Sequence, residues 1–282
     1  MADPRLTPAR PDLAAAHLKG EVTAARFAEP THLRIVTPIA GMRAAPDQTA
    51  PLDTELLMGE QIAIYERTGE WAWGQAVSDG YVGYVPAHAV GEAGVPTHRV
   101  ATLGANVYAA PRLKSPRMAH LPFGARLHVA ESQDGFCRIG PERWVSAGQL
   151  ADQPAPDWVA VAETFEGVPY QWGGRSSWGL DCSALVQLSR EAAGIECARD
   201  SDMQAAALGE TLAPGTPPRR GDLMFWRGHV AIVIDTQTLL HATAHGMRVR
   251  REKISHALAR IAAEEFGALT RHARLGPGGT RG

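Results

Sequence analysis

The stretch Leu180-Asp181-Cys182-Ser183-Ala184-Leu185-Val186-Gln187-Leu188 decides how the C-terminal half of this chain is interpreted. Its apolar run predicts a helix that begins at Cys182 and continues to about Ala193, where Gly194 ends it. Unpaired backbone N–H groups and the helix dipole favour a thiolate in the first turn of a helix. Cys182 is therefore a candidate nucleophile, although a cysteine alone at a helix start is more often a small buried apolar residue.

Two histidines further along the chain could serve this cysteine. His229 begins the strand-like run 229–234, and His241 lies in the next run, 239–242. The residues between the runs, 235–237, are typical of a tight turn, so the two runs predict a β-hairpin. Adjacent antiparallel strands can place one histidine against the thiol and the second behind the first. This order of nucleophile, base and orienting residue is that of a cysteine-protease triad, in which an imidazolium pairs with the thiolate.

Six sequence motifs follow one another between residues 170 and 242. They are Tyr170-Gln171-Trp172-Gly173-Gly174, Gly179-Leu180-Asp181-Cys182-Ser183, Arg199-Asp200-Ser201 with Gln204, Gly221-Asp222-Leu223-Met224-Phe225, Gly228-His229-Val230-Ala231-Ile232-Val233 and Leu240-His241-Ala242. This ordered set resembles the NlpC/P60 family of cell-wall peptidases, and the order is far more specific than any single motif. Ala184 and Ala231 stand where the family usually has glycine, which leaves the nucleophile and base in place.

The resemblance implies a papain-like domain, in which a helix bearing the thiol packs on an antiparallel sheet bearing the histidines. Cys182 would be the nucleophile, His229 the general base and His241 the residue that orients His229, with no metal or organic cofactor required. The same three residues could instead bind zinc, since cysteine and histidine are its usual ligands. Because the sequence lacks the closely spaced ligand pairs typical of zinc sites, we expect no metal.

The chain repeats itself before this segment, at an offset of about 65 positions. The stretches 43–46, 58–60, 69–73 and 81–85 have counterparts at 108–111, 123–125, 135–139 and 143–145. Short alternating strands broken by Gly and Pro turns predict two small all-β barrels, which resemble bacterial SH3-like domains. The predicted multi-domain order is an N-terminal arm (1–28) with a short helix around Leu13 to Leu18, two all-β SH3-like barrels (29–92 and 97–150), and an α+β papain-like NlpC/P60 domain (157–275).

The resemblance also indicates which residues hold substrate. The Tyr170 hydroxyl would add a hydrogen-bond donor near the thiol, although Tyr170 and Trp172 could instead pack beneath the nucleophile helix. Asp181 would pair with a free ammonium group of the substrate. The remaining candidates are Ser183, Asp200 and Ser201 around the nucleophile, and Glu60 and Tyr81 of the first barrel, which would close the pocket.

Charge and composition exclude some partners. A formal net charge of −2 gives no basic footprint for nucleic acid or an anionic membrane, and no stretch approaches the ~20 apolar residues that span a bilayer. The N-terminus carries acids and prolines where a signal peptide would be basic and then apolar, and three cysteines do not suggest a disulfide framework. We therefore expect a cytoplasmic protein with reduced thiols and a disordered tail at 276–279. Its oligomeric state is left open.

The expected substrate follows from the same resemblance. It implies cleavage of peptidoglycan stem peptides between γ-linked D-glutamate and a diamino acid such as meso-diaminopimelate. With two SH3-like domains and no export signal, the expected activity is removal of L-Ala-γ-D-Glu from free muropeptides during cell-wall recycling. The main alternative is an exported endopeptidase that acts on intact peptidoglycan and uses its barrels to bind the wall. A thiol amidase or acyltransferase would need a different pocket, and a non-catalytic binding module would be expected to lack Cys182 or His229.

Overall fold

The computed structural model describes residues 3–276, which divide into two units between Gln153 and Pro154. The tail expected to be disordered lies outside the described residues from Pro277 onward. Across the described part, no helix is both long and apolar enough to cross a bilayer.

The first unit is built from short strands. They are β1 (Leu13–Ala15), β2 (Arg26–Ala28), β3 (Thr31–Ile35), β4 (Ile39–Met42), β5 (Thr54–Leu57), β6 (Gln61–Thr68), β7 (Trp71–Ala76), β8 (Val82–Pro86), β9 (Val90–Gly91), β10 (His98–Val100), β11 (Gly104–Tyr108), β12 (Arg117–Pro122), β13 (Arg126–Leu127), β14 (Glu131–Gln133), β15 (Phe136–Gly140), β16 (Arg143–Ser146) and β17 (Leu150–Ala151). Single 3₁₀ turns lie at Ala16–Leu18, Ala87–Ala89 and Ala147–Gln149.

These strands form two small all-β folds, as the sequence repeat predicts. In the first, the sheet order is β8-β7-β6-β3-β9, with β4 paired to β5; in the second, it is β12-β11-β16-β15-β14, with β13-β10-β17 beside it. Gly59 and Gly124 occupy the same place in the repeat, and each has a φ of 82°. Residues other than glycine rarely adopt this left-handed conformation, so the turn chemistry explains why both copies keep glycine here.

The N-terminal segment differs from the predicted arm with a short helix. Leu13–Ala15 is strand β1, which pairs in parallel with β2, and a 3₁₀ turn over Ala16–Leu18 replaces the expected helix. Leu13 and Ala15 are fully buried in an apolar cluster with Ala63, Tyr65 and Trp73. Burial of these apolar side chains against the strands therefore overrides the helical pattern read from the local sequence.

The second unit combines helices with one main antiparallel sheet. Its elements are α1 (Trp158–Thr164), β18 (Arg175–Ser176), β19 (Gly179–Leu180), α2 (Cys182–Ala192), α3 (Ser201–Ala207), β20 (Glu210–Thr211), β21 (Leu223–Trp226), β22 (His229–Val233), β23 (Thr238–Thr243), β24 (Arg248–Lys253), α4 (Ile254–Glu264) and β25 (Arg271–Arg274). The sheet order is β20-β25-β21-β22-β23-β24, and β18 pairs with β19. The predicted α+β domain is confirmed.

Local signals fix the ends of the first two helices of this unit. The Asp157 carboxylate accepts hydrogen bonds from two backbone N–H groups at the start of α1, and Asp181 caps α2 in the same way. Gly194, with a φ of 75°, follows the end of α2 as predicted. Helix α2 packs on β22 and β23, whereas α4, which the sequence analysis did not anticipate, packs on an apolar cluster of the sheet.

The buried N-terminal strand leads to a stability prediction. Replacing Leu13, which is 0% exposed, by alanine should destabilise the protein by about 2–5 kcal/mol, because it leaves a cavity beside Trp73. Leu113→Ala is the matched control, since Leu113 is 78% exposed and its loss should change stability by less than about 0.5 kcal/mol. Urea unfolding followed by circular dichroism measures both variants. Equal midpoints for the two would contradict the packed strand.

Candidate active site

Cys182 is the first residue of α2 and is 7% exposed. Helix α2 packs on β22 and β23. The backbone N–H groups of Val230 and Ser183 point to the Cys182 sulfur. The nucleophile candidate therefore lies beside the strand residue that directly follows His229.

His229 and His241 form a buried pair. They are 2% and 0% exposed, and Nε2 of His229 lies 2.9 Å from Nδ1 of His241. The predicted hairpin is present, with β22 antiparallel to β23. The ring of Phe266, which follows α4, stacks on the His229 ring at a centroid distance of 5.2 Å and an interplanar angle of 10°. His229 thus has one ring nitrogen fixed by His241 and one ring face covered by Phe266.

A carboxylate that the sequence analysis missed lies behind His241. Nε2 of His241 is 3.2 Å from Oε2 of Glu252 in β24. Arg260 of α4 donates to both oxygens of this carboxylate, over 3.0 and 2.8 Å, and also pairs with Glu265. Nothing local marks Glu252, because it lies in a strand of mostly charged residues. The pairing of β23 with β24 is what brings it to His241.

Burial decides the charge of the nucleophile and base. Burial, aided by the neighbouring Asp181 charge, raises the pKa of Cys182 to about 12. Burial also lowers the pKa of His229 well below its usual range, and the nearby Arg260 guanidinium adds to this effect. Burial thus favours a neutral thiol and a neutral imidazole in the unliganded protein and opposes the expected thiolate–imidazolium pair, which stays a prediction.

Asp181 lies in a buried polar network. Its carboxylate accepts hydrogen bonds from the backbone N–H groups of Gly173 and Ala184, at 3.1 and 2.9 Å, and from the Ser183 hydroxyl at 3.1 Å. Arg199 donates to both Asp181 oxygens, at 3.0 and 2.7 Å, and to the Ser183 hydroxyl at 3.0 Å. Although burial opposes it, the Asp181 carboxylate raises the pKa of Arg199. In the structure, Asp181 and Ser183 stabilise the start of α2. Their contact with substrate stays a prediction.

Arg199 was missed as a member of this network. The sequence analysis quoted it within a motif and assigned it no role. The available signal was the Asp181 carboxylate directly before the nucleophile. A buried carboxylate and a buried arginine each require a partner of opposite charge.

Tyr170 lies close to the nucleophile. Backbone hydrogen bonds hold residues 169–171 beside Leu180, with Leu180 N–H donating to Pro169 over 3.1 Å. Burial raises the pKa of Tyr170, and the neighbouring Asp181 carboxylate raises it further, so its hydroxyl stays protonated as a potential donor. Trp172 is 70% exposed and does not pack beneath the nucleophile helix.

The remaining candidates lie at several places. Asp200 is the N-cap residue of α3 and Ser201 its first residue, and α3 packs against α2 and β22. Glu60 and Tyr81 belong to the first unit, where both are buried, and Oε2 of Glu60 accepts the Leu57 N–H over 2.9 Å. Their roles in binding substrate stay predictions.

Three known protein families match parts of this chain. The NlpC/P60 family matches residues 167–262, the bacterial dipeptidyl-peptidase Sh3 domain matches residues 42–90, and the bacterial SH3 domain matches residues 103–151. The first match contains Cys182, His229, His241 and Glu252, whereas Glu265 and Phe266 lie beyond it.

Individual relatives cover most of the chain. Dipeptidyl-peptidase 6 of Lysinibacillus sphaericus is 25% identical over 248 residues, covering 76% of this chain and 89% of that protein. Gamma-D-glutamyl-L-lysine dipeptidyl-peptidase of Bacillus subtilis is 26% identical over 229 residues, covering 70% of this chain and 74% of that protein. The crystal structure of an NlpC/P60 family protein from Bacillus cereus shares the fold, with a TM-score of 0.73, 19% identity, and coverage of 86% of this chain and 99% of that chain.

The neutral nucleophile gives a prediction for the free protein. A thiol whose pKa is raised to about 12 stays protonated from neutral to mildly alkaline pH and ionises only in strong base. The ultraviolet thiolate absorbance of the wild type should therefore equal that of Cys182→Ala throughout this range. A difference between the two that develops at or below neutral pH would show a resting thiolate and contradict the prediction.

Proposed function

Because residues 167–262 form an NlpC/P60 domain that follows two bacterial SH3 domains, we propose that this cysteine peptidase cleaves peptidoglycan stem peptides. The bond cut is the one between γ-linked D-glutamate and a diamino acid. The observation that supports this most directly is the position of the Cys182 sulfur at the N-terminus of α2, beside the start of the strand that carries His229.

The chemistry begins from the neutral pair. His229 takes the proton of the Cys182 thiol as the sulfur attacks the amide carbonyl, so the S–C bond forms while the carbonyl becomes an oxyanion. When the oxyanion collapses, the C–N bond breaks and His229 returns the proton to the leaving amine. Water then attacks the thioester, giving one proton to His229, and collapse releases the carboxylic acid and restores the thiol. Each step moves one proton and leaves no net charge on the enzyme.

Donors near the sulfur suit the oxyanion. The backbone N–H of Ser183 belongs to the first turn of α2, where such groups have no partner within the helix. The Tyr170 hydroxyl, kept protonated by its burial, is a second candidate donor. The Asp181–Arg199 pair supports this arrangement indirectly, since it fixes the first turn.

The names of two relatives support the choice of bond. One is called a gamma-D-glutamyl-L-lysine dipeptidyl-peptidase and another a dipeptidyl-peptidase, and both align over most of their length. We extend the proposal to free muropeptides that begin with L-Ala-γ-D-Glu, with meso-diaminopimelate or L-lysine next, degraded in the cytoplasm during wall recycling. Mass spectrometry of the products from L-Ala-γ-D-Glu-meso-diaminopimelate and from its L-lysine counterpart tests the bond and the diamino acid. An intact peptide in both reactions would contradict the proposal.

Substitutions in the site test the mechanism. Cys182→Ala should lower kcat by at least about 10⁴-fold with the fold retained, since no other group can form the thioester. His229→Ala should be similarly damaging, and His241→Ala less so, because an orienting residue contributes less than the base. Cys137→Ala is the matched control, because Cys137 is a buried cysteine of the first unit. Turnover assays with circular dichroism measure all four, and full activity in Cys182→Ala would end this mechanism.

The requirement for a free amine tests the mode of cleavage. A peptidase that removes dipeptides recognises the substrate ammonium, so acetylation removes a charge-assisted contact and should slow cleavage by more than about tenfold. The comparison uses free and N-acetylated L-Ala-γ-D-Glu-meso-diaminopimelate, with purified sacculi as a third substrate. Equal rates on both peptides, or efficient release of material from sacculi, would favour a wall endopeptidase instead.

A further inference from the structure

A line of polar groups in close contact leads away from the base and ends at α4, with hydrogen bonds at both ends of the line and, between His241 and Glu252, a contact that is not aligned as a hydrogen bond. Nε2 of His229 meets Nδ1 of His241 at 2.9 Å, and Nε2 of His241 meets Oε2 of Glu252 at 3.2 Å. Arg260 holds the Glu252 carboxylate through two hydrogen bonds. The four groups come from β22, β23, β24 and α4 in turn. The side chains of His241 and Glu252 are 0% and 9% exposed, so water does not compete freely for these contacts.

The carboxylate determines where the protons lie. An unprotonated Nε2 of His241 would turn its lone pair toward the negative Glu252 carboxylate at 3.2 Å, whereas an N–H there is attracted to it even without the alignment of a hydrogen bond, so the proton of His241 lies on Nε2. A neutral His241 then has an unprotonated Nδ1, and this nitrogen can accept a hydrogen bond only if Nε2 of His229 carries the proton. The neutral ring of His229 is left with a lone pair on Nδ1. Glu252 therefore selects the tautomer of a ring that it does not touch.

We propose that Glu252, anchored by Arg260, is a positioning residue that holds His241 and His229 in the tautomers needed for Nδ1 of His229 to accept the Cys182 proton. This inference rests on the proposed function for its catalytic consequence, although the tautomers themselves do not depend on turnover. The triad is thus extended by a carboxylate and a guanidinium that contact neither substrate nor thiol.

The charges around His241 fit this assignment. Arg250 lies opposite His241 in the β23–β24 register, and Arg260 lies behind Glu252. Burial is the largest influence and lowers the pKa of His241, Glu252 opposes it, and the two arginines add smaller effects in the same direction as burial. The close contact with His241, followed by the hydrogen bonds from Arg260, lowers the pKa of Glu252, so the carboxylate stays ionised. A neutral His241 beside an ionised Glu252 is the state that the tautomer argument requires.

The first experiment observes the tautomers directly. The wild-type protein is labelled with ¹⁵N at histidine, and the ring signals of His229 and His241 are assigned by replacing each in turn. We expect a neutral His241 protonated at Nε2 and a neutral His229 protonated at Nε2, measured without substrate. A charged His241, or His229 protonated at Nδ1, would overturn the inference. Because no turnover is involved, this result is independent of whether the proposed substrate is correct.

The second experiment reverses the tautomers with a near-isosteric change. In Glu252→Gln, the amide oxygen accepts from Arg260 and the amide NH₂ faces Nε2 of His241, so the proton order along the line inverts. His229 then carries a proton on Nδ1 and cannot act as base toward the thiol. We expect kcat to fall by about 10²–10⁴-fold with KM changed by less than about threefold, as for the wrong tautomer in other triads. Glu252→Asp keeps the acceptor and should recover part of the loss.

A matched control separates positioning from folding. Glu191 is also a partly buried carboxylate paired to an arginine, Arg175 at 2.6 Å, in the same unit. Glu191→Gln should keep the wild-type kcat and the wild-type histidine signals. Thermal unfolding of each variant is measured beside the kinetics. A kcat loss in Glu252→Gln with unchanged tautomers, or wild-type kcat with inverted tautomers, would overturn the positioning role. Wild-type tautomers as expected, with no hydrolysis of any stem peptide, would count against the proposed function alone.

Discussion

The geometry of the site depends on one carboxylate, that of Asp181. It caps α2, accepts the Gly173 N–H from the preceding loop, and pairs with Arg199 from the segment before α3. Three separate parts of the chain are thereby joined at the residue before the nucleophile. Two opposite charges can be buried here because each satisfies the other, and removing either partner alone would leave a costly unpaired charge. The position of the Cys182 sulfur is a consequence of this arrangement.

Local sequence signals predicted the elements that such signals can determine. Gly194 was expected to end α2 and follows its last turn with a φ of 75°, a backbone geometry that needs no distant partner. The glycine turns that recur in the sequence repeat likewise predicted the two barrels. The NlpC/P60 resemblance then assigned roles to Cys182 and the histidines, and the structure brings Cys182 to the start of β22 and pairs the two histidines in the adjacent strands.

The features that the sequence analysis missed are those set by distant contacts. Leu13 lies in a strand because its side chain packs in an apolar cluster with residues of later strands. Glu252 lies beside His241 only because of the register between β23 and β24. The burial that raises the pKa of Cys182 was also not anticipated, because a helix N-terminus can be seen in a sequence whereas the loss of water around a side chain cannot. Burial is a property of the whole fold, and here it outweighs the local field.

Strand order in the catalytic unit affects how the chain can fold during synthesis. β25 lies inside the sheet, between β20 and β21, although it follows every other described strand in sequence. Until residues 271–274 have been made, β21 has an unpaired edge, and its apolar residues 223–226 are a template for pairing with other chains. The thiol, the histidines and their supporting carboxylate are all synthesised earlier. The nascent chain therefore contains the complete chemistry before the sheet can close, and the last described strand completes the fold rather than the site.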